Sequence, residues 1–154
     1  MPFTVKKVGD WDKVEALFNF LTDGSFKEAI KDKLREDGDL IVDSIKNHIT
    51  AQDLGWTPLA ESTLKKKQGT MIYVETGQLL NSITQRDSNT GDMSIEIGAE
   101  GEHSSGISND MLLTYLEYGT NKIPPRPLIR PTFEEYQNKS KNDWISFLKD
   151  LLRG

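Results

Sequence analysis

The sequence predicts an α+β fold in which a small antiparallel sheet of three to four strands packs on a long helix and a C-terminal helix. Three observations lead there. Apolar residues recur at helical spacing from Ala29 and Ile30 through Leu34, Ile41 and Ile45 to Ile49. They do so again from Phe133 through Tyr136, Trp144, Ile145 and Leu148 to Leu151 and Leu152. Between these runs Met93, Ile95 and Ile97 alternate with other residues just after an Asn89-Thr90-Gly91 turn, the pattern of a half-buried hairpin strand. No internal repeat and no second composition regime divides the chain. Its 154 residues therefore read as one domain, able to bury about two thirds of the surface exposed when unfolded.

Each element follows in order. Residues 1–24 hold a short alternating stretch, Phe3 to Val8, expected as a strand or extended arm, and a helix capped by Asp10 or Asp12 that ends near Leu21. Ser25 and Glu28 have capping-box spacing, so the long helix is placed at 25–52, with Gly38 as a bend or a crossing point. Residues 56–131 follow as a region of short pieces. A helix is expected near Glu61 to Lys67, with Pro58 in its first turn. A helical turn capped by Thr76 leads into strands at Ile83 to Arg86 and Met93 to Gly98. Ala99 to Asn109, rich in Gly and Ser, is expected to be mobile in an isolated chain and ordered against a neighbour. Tyr115 to Gly119 reads as a helix end with Gly119 as a left-handed cap. Four prolines from Pro124 to Pro131 then impose an extended strip with few hydrogen bonds, packing Ile123, Leu128 and Ile129 on the core. The last helix is placed at 132–153, with Pro131 suited to its first turn.

Composition bounds the chemistry. With no cysteine and only His48 and His103, thiol and disulfide chemistry is excluded and imidazole chemistry nearly so. No His pair has metal-ligand spacing, and no glycine-rich phosphate loop occurs. Twenty-four acids make some carboxylate pair inevitable, which strips that signal of meaning. The expectation is a non-enzyme with no catalytic, cofactor-binding or metal-binding residues. No run approaches the ~20 apolar residues of a membrane span, and the first residues lack a signal-peptide core, so no membrane association is expected.

The net charge of −5 argues against a protein devoted to gripping nucleic acid. Its distribution is more informative. From Asp87 to Glu117 there is no Lys or Arg, whereas Tyr118 to Pro131 carries Lys122, Arg126 and Arg130 and no acid. Such blocks suit either plain solvated surfaces or head-to-tail contacts between copies. Within them the fork of Arg126 suits a carboxylate, and Glu117, just before the Gly119 turn, is its expected partner, inside the chain or across a subunit boundary.

Five short segments occur in a fixed order: Trp56, Pro58 and Leu59; Thr63, Leu64 and Lys67; Thr76, Gly77 and Leu79; Glu117, Gly119 and Thr120; Pro125, Arg126 and Pro127. Over residues 50 to 135 this order resembles the tailed-phage virion morphogenesis proteins, the small tail-completion or neck proteins that join head and tail. Tyr115-Leu116 stands where members often have Tyr-Ala, and Leu128 where an aromatic is usual. The resemblance implies a single structural domain of a phage, prophage or tail-like bacteriocin, assembled in the host cytoplasm and resident in the virion or particle. It also implies self-association into rings, commonly of six subunits, that contact the tail tube and the neck or connector, with DNA merely passing through the lumen. Trp56, Glu117, Gly119, Arg126 and Arg130 are the assembly candidates under this reading. The alternative is a non-enzymatic nucleic-acid-binding accessory protein using Lys65, Lys66 and Lys67 with Arg126 and Arg130.

Overall fold

The structure, a computed structural model, describes residues 10–67 and 69–153. Six helices and two strands run in the order α1 (Trp11–Thr22), α2 (Ser25–Ala51), α3 (Glu61–Leu64), α4 (Gln78–Ser82), β1 (Ile83–Asp87), β2 (Ile95–Ala99), α5 (Asn109–Tyr118) and α6 (Ile129–Arg153). The expected mixture of helix and strand is present. The sheet, however, has two antiparallel strands among the described residues rather than three to four, and the expected Phe3 to Val8 strand lies outside them. No described helix is long and apolar enough to cross a membrane.

The 27-residue α2 is the spine, close to the reach the periodicity predicts. Its start differs from expectation: Gly24 is the N-cap, and Asp23 accepts the Ser25 N–H at 2.9 Å, so Ser25 lies inside the helix and forms no capping box. Ile41, Val42, Ile45 and Ile49 bury one face of α2 against Ile72, Tyr73, Leu79, Ile83, Ala99, Leu113 and Leu128. At about 1.5–3 kcal/mol per fully buried aliphatic side chain, this cluster is the main stabilising term. Gly38 is indeed a crossing point, because a Cβ there would sit 2.5 Å from Ile95 Cδ1 and 3.2 Å from Gln85 Cγ, where the hairpin rests on the helix.

The hairpin pairs Ile83 with Ala99 and Asp87 with Ile95, so β2 starts two residues later than expected and Met93 lies outside it, half exposed. Ala99 to Asn109 is pinned by polar contacts that the composition did not suggest. Glu102 and Ser108 form a β-bridge, Asn109 donates from N–H to Gly101 O at 2.9 Å and from its side chain to Glu100 O at 2.7 Å, and Gln78 bonds both Glu102 O and Ser104 N–H.

α3 is shorter than expected and capped by Ala60, which leaves Pro58 ahead of the helix instead of in its first turn. α6 begins at Ile129, so Pro131 is its third residue, a position where no intrahelical N–H is needed. The buried side of α6 matches the expected apolar stripe only in part, through the half-buried Tyr136, Trp144, Leu148 and Leu151. Thr132 and Ser140 are buried, with Tyr136 partly so between them, whereas Phe133, Ile145 and Leu152 are substantially exposed. Asp37 explains this seam: from α2 it accepts Trp144 Nε1 at 2.7 Å and Lys33 Nζ at 2.8 Å, beside the Tyr136 hydroxyl.

Candidate functional site

The five sequence segments, scattered between Trp56 and Pro127, come together in space. The Trp56, Glu117 and Pro125–Pro127 segments are tied by side chains that bond backbone, and the Thr63–Lys67 and Thr76–Leu79 segments meet them along a shared cavity. Glu117, at the end of α5 and only 7% exposed, aims its carboxylate at the start of α6. Oε2 accepts the N–H of Leu128 at 2.6 Å and of Ile129 at 2.9 Å, and Oε1 accepts that of Arg130 at 3.1 Å. Pro131 has no N–H, and Thr132 already donates to Leu128 O at 3.3 Å. Every donor of the first turn of α6 is thereby satisfied, with a negative group at the positive end of the helix dipole.

Arg126 is 4% exposed and does not pair with Glu117, which corrects the sequence expectation. Its Nε donates to Thr57 O at 2.9 Å and its Nη2 to Pro58 O at 3.2 Å, tying the Pro-rich strip to the Trp56 segment. The physical reason is local: both segments lie outside helix and strand and so have carbonyls that neither engages, while Glu117 is occupied by the three N–H groups. Main-chain bonds close the same latch. Arg126 N–H donates to Leu116 O at 2.7 Å, Tyr73 Oη to Arg126 O at 2.5 Å, and Trp56 Nε1 to Pro127 O at 2.7 Å, with the Trp56 and Tyr73 rings 5.0 Å apart. The strip is therefore better hydrogen-bonded than its prolines suggest, and Leu128 is fully buried at its end while Ile123 and Ile129 are partly buried.

Gly119 is required for two reasons. Its φ of 77° and ψ of 175° lie outside the left-handed helical cap expected, in a region glycine alone visits readily, and an added Cβ would come within 2.8 Å of Pro125 N and 2.9 Å of Ile123 O. Arg130, the last candidate, is exposed, with its guanidinium 5.9 Å from the centre of the Tyr118 ring.

Two residues that sequence reasoning passed over complete the frame. Tyr73, at φ 68°, is buried, and that burial drives its hydroxyl pKa well above the usual tyrosine value, with Glu117 adding to the effect. Gln52 ends α2 in the left-handed region, and its amide bonds the backbone of Ile72 twice, donating to the carbonyl at 3.0 Å and accepting the N–H at 2.8 Å. Nothing in local pattern distinguishes either residue. Their partners lie 53 and 20 residues away.

Beside the latch lies a cavity of about 600 Å³, lined by members of every segment or their immediate neighbours, among them Pro58, Thr63, Lys67, Leu79, Leu116 and Arg126. Among the described residues no group of three or more His, Asp or Glu side chains is placed to hold a metal ion. Comparison with protein-family models, with curated proteins and with solved structures gave no match.

Proposed function

We propose that this chain is a structural assembly protein of a tailed phage, prophage or phage-like particle, a tail-completion or head–tail joining component that works through surfaces and catalyses no reaction. The observation that carries the reading is the convergence of the five segments that resemble the tail-completion pattern: three of them, with bonded residues up to 71 positions apart, are tied together around Glu117, Arg126 and Gly119, and the other two line the cavity beside them. Their common office is to hold the Pro-rich strip and the start of α6 rigidly, as a docking element requires. Uncovered apolar surface supports association as well. Val14, Leu17, Phe18 and Leu21 form one stripe of α1, at i, i+3, i+4 and i+7, and all are exposed.

The nucleic-acid alternative loses its central residue, since Arg126 is buried on backbone carbonyls and Lys67 donates to Met71 O at 2.5 Å. Particle-end labelling tests the proposal. Tagged protein incubated with purified tail tubes of a matching phage should label one end of each tube; random labelling, or none, contradicts it.

A further inference from the structure

The cavity beside the latch holds an imbalance of charge. Arg126 is almost wholly buried, and no carboxylate among the described residues lies within 4 Å of its guanidinium. Lys67, partly buried next to it, is likewise held by a neutral acceptor, Met71 O. Both side chains have hydrogen bonds, but neither has a carboxylate within 4 Å, and Glu75 acts on Lys67 only from beyond that distance. Lys66 and Lys122 stand at the rim, and Glu75 is the single acid among the described lining residues. Burying a cation without a carboxylate costs free energy that neutral carbonyls only partly offset, so the arrangement is one that an incoming anion would relieve. Burial and the Arg126 charge both hold the Lys67 pKa below the ordinary lysine value, the direction expected of a cation awaiting a partner, while Glu75 opposes them.

The walls describe the rest of the ligand. Leu59, Ile72, Leu79, Leu112, Leu116 and Ile123 give the cavity an apolar lining, and its volume lies in the range of sites that enclose a small ligand or a few side chains. A bare phosphate would leave that lining wet, and a duplex backbone would meet the exposed lysines without entering. We propose that this cavity binds a carboxylate carried on an apolar stem, with Arg126 and Lys67 facing the carboxylate and the aliphatic wall covering the stem. Two sources share that chemistry: the chain end or an acidic side chain of a protein partner, and a free organic acid. The inference stands apart from the assembly reading, because the charge imbalance is a property of the folded monomer.

The test is a titration of the isotopically labelled full chain by two-dimensional nitrogen–proton NMR. The probes are 4-phenylbutyrate, its uncharged amide, inorganic phosphate and a 20-base-pair duplex. Phenylbutyrate should give saturable shifts confined to residues 57–67, 72–79 and 112–126, at least tenfold tighter than the amide or phosphate. Lys67→Met should weaken binding about tenfold without lowering the melting temperature, and Lys122→Glu, at the exposed rim, should weaken it by a smaller factor should the first variant misfold. A short peptide with a terminal Leu-Phe and a free carboxylate then separates the sources. Binding at least tenfold tighter than phenylbutyrate assigns the site to a protein chain end, and equal or weaker binding assigns it to a free acid. Equal affinity for acid and amide, no saturable binding, unchanged binding by both variants, or displacement of phenylbutyrate by the duplex would each overturn the proposal.

Discussion

Glu117 shows how a residue singled out by its charge can take a partner other than the expected one. Its position and charge were legible in the sequence, and so was the importance of Arg126 and Gly119. The carboxylate nevertheless serves three main-chain donors of α6, and the guanidinium serves two main-chain acceptors beyond Trp56. Side-chain chemistry ranks opposite charges as partners, whereas unsatisfied backbone groups, which every sequence contains, became visible only once α6 was seen to start at Ile129. Two predictions separate these accounts. Glu117→Gln keeps one acceptor but turns an amide N–H₂ toward a donor, so it should cost about 1–3 kcal/mol in urea unfolding, with Glu117→Ala costing more. A Gln variant as stable as the wild type would remove the carboxylate from the start of α6. The second concerns Tyr73, whose folded-state pKa is raised above the unfolded value of 10.0. A raised pKa contributes stability that is fully present below pH 10 and is lost as pH rises toward the folded value. Tyr73→Phe should therefore be less stable at pH 7, by about 1 kcal/mol for the lost bond to Arg126 O, and the gap should narrow as the pH passes 10. A gap independent of pH would contradict the burial of the hydroxyl.

At the scale of elements, periodicity carried α2 and the hairpin because each turns one apolar face to the common core. It carried α6 less well. Ser140 lies on the buried side beside the polar Asp37–Trp144–Tyr136 seam, and Thr132 is buried with its hydroxyl on Leu128 O, so only part of the apolar stripe is packed. The start of β2 shifted for a related reason: Met93 looked like its first inward residue, but pairing ends at Asp87 with Ile95. Gly38 offers a test of how the hairpin meets the spine. Alanine there would gain about 0.8–1.0 kcal/mol of helix propensity yet force Ile95 Cδ1 away from a 2.5 Å approach, an overpacking cost of about 1–3 kcal/mol. Gly38→Ala alone should thus destabilise, and Ile95→Val, which removes that methyl, should recover part of the loss. Independent, additive effects of the two substitutions would mean that helix and hairpin do not touch there.

For the whole molecule, the hydrogen-bonded latch, the exposed stripe of α1 and the acidic block that ends at the start of the basic strip all support the proposal that the chain folds as a subunit and functions in an assembly. Because Glu117 and Arg126 hold the chain's own backbone, substituting them should lower the melting temperature of the monomer, and the proposed contacts between copies would come from exposed groups such as Phe18 and Leu21. Heterologous contacts that close give rings, and only mass and shape together distinguish a ring from nonspecific aggregation. The most direct measurement is solution mass across a concentration series, paired with negative-stain images of the same samples with and without purified tail tubes. The account predicts a discrete closed ring, formed at high concentration or on the tube end and lost in Phe18→Asp with the monomer fold intact. A protein that stays strictly monomeric and leaves tube ends bare would contradict it.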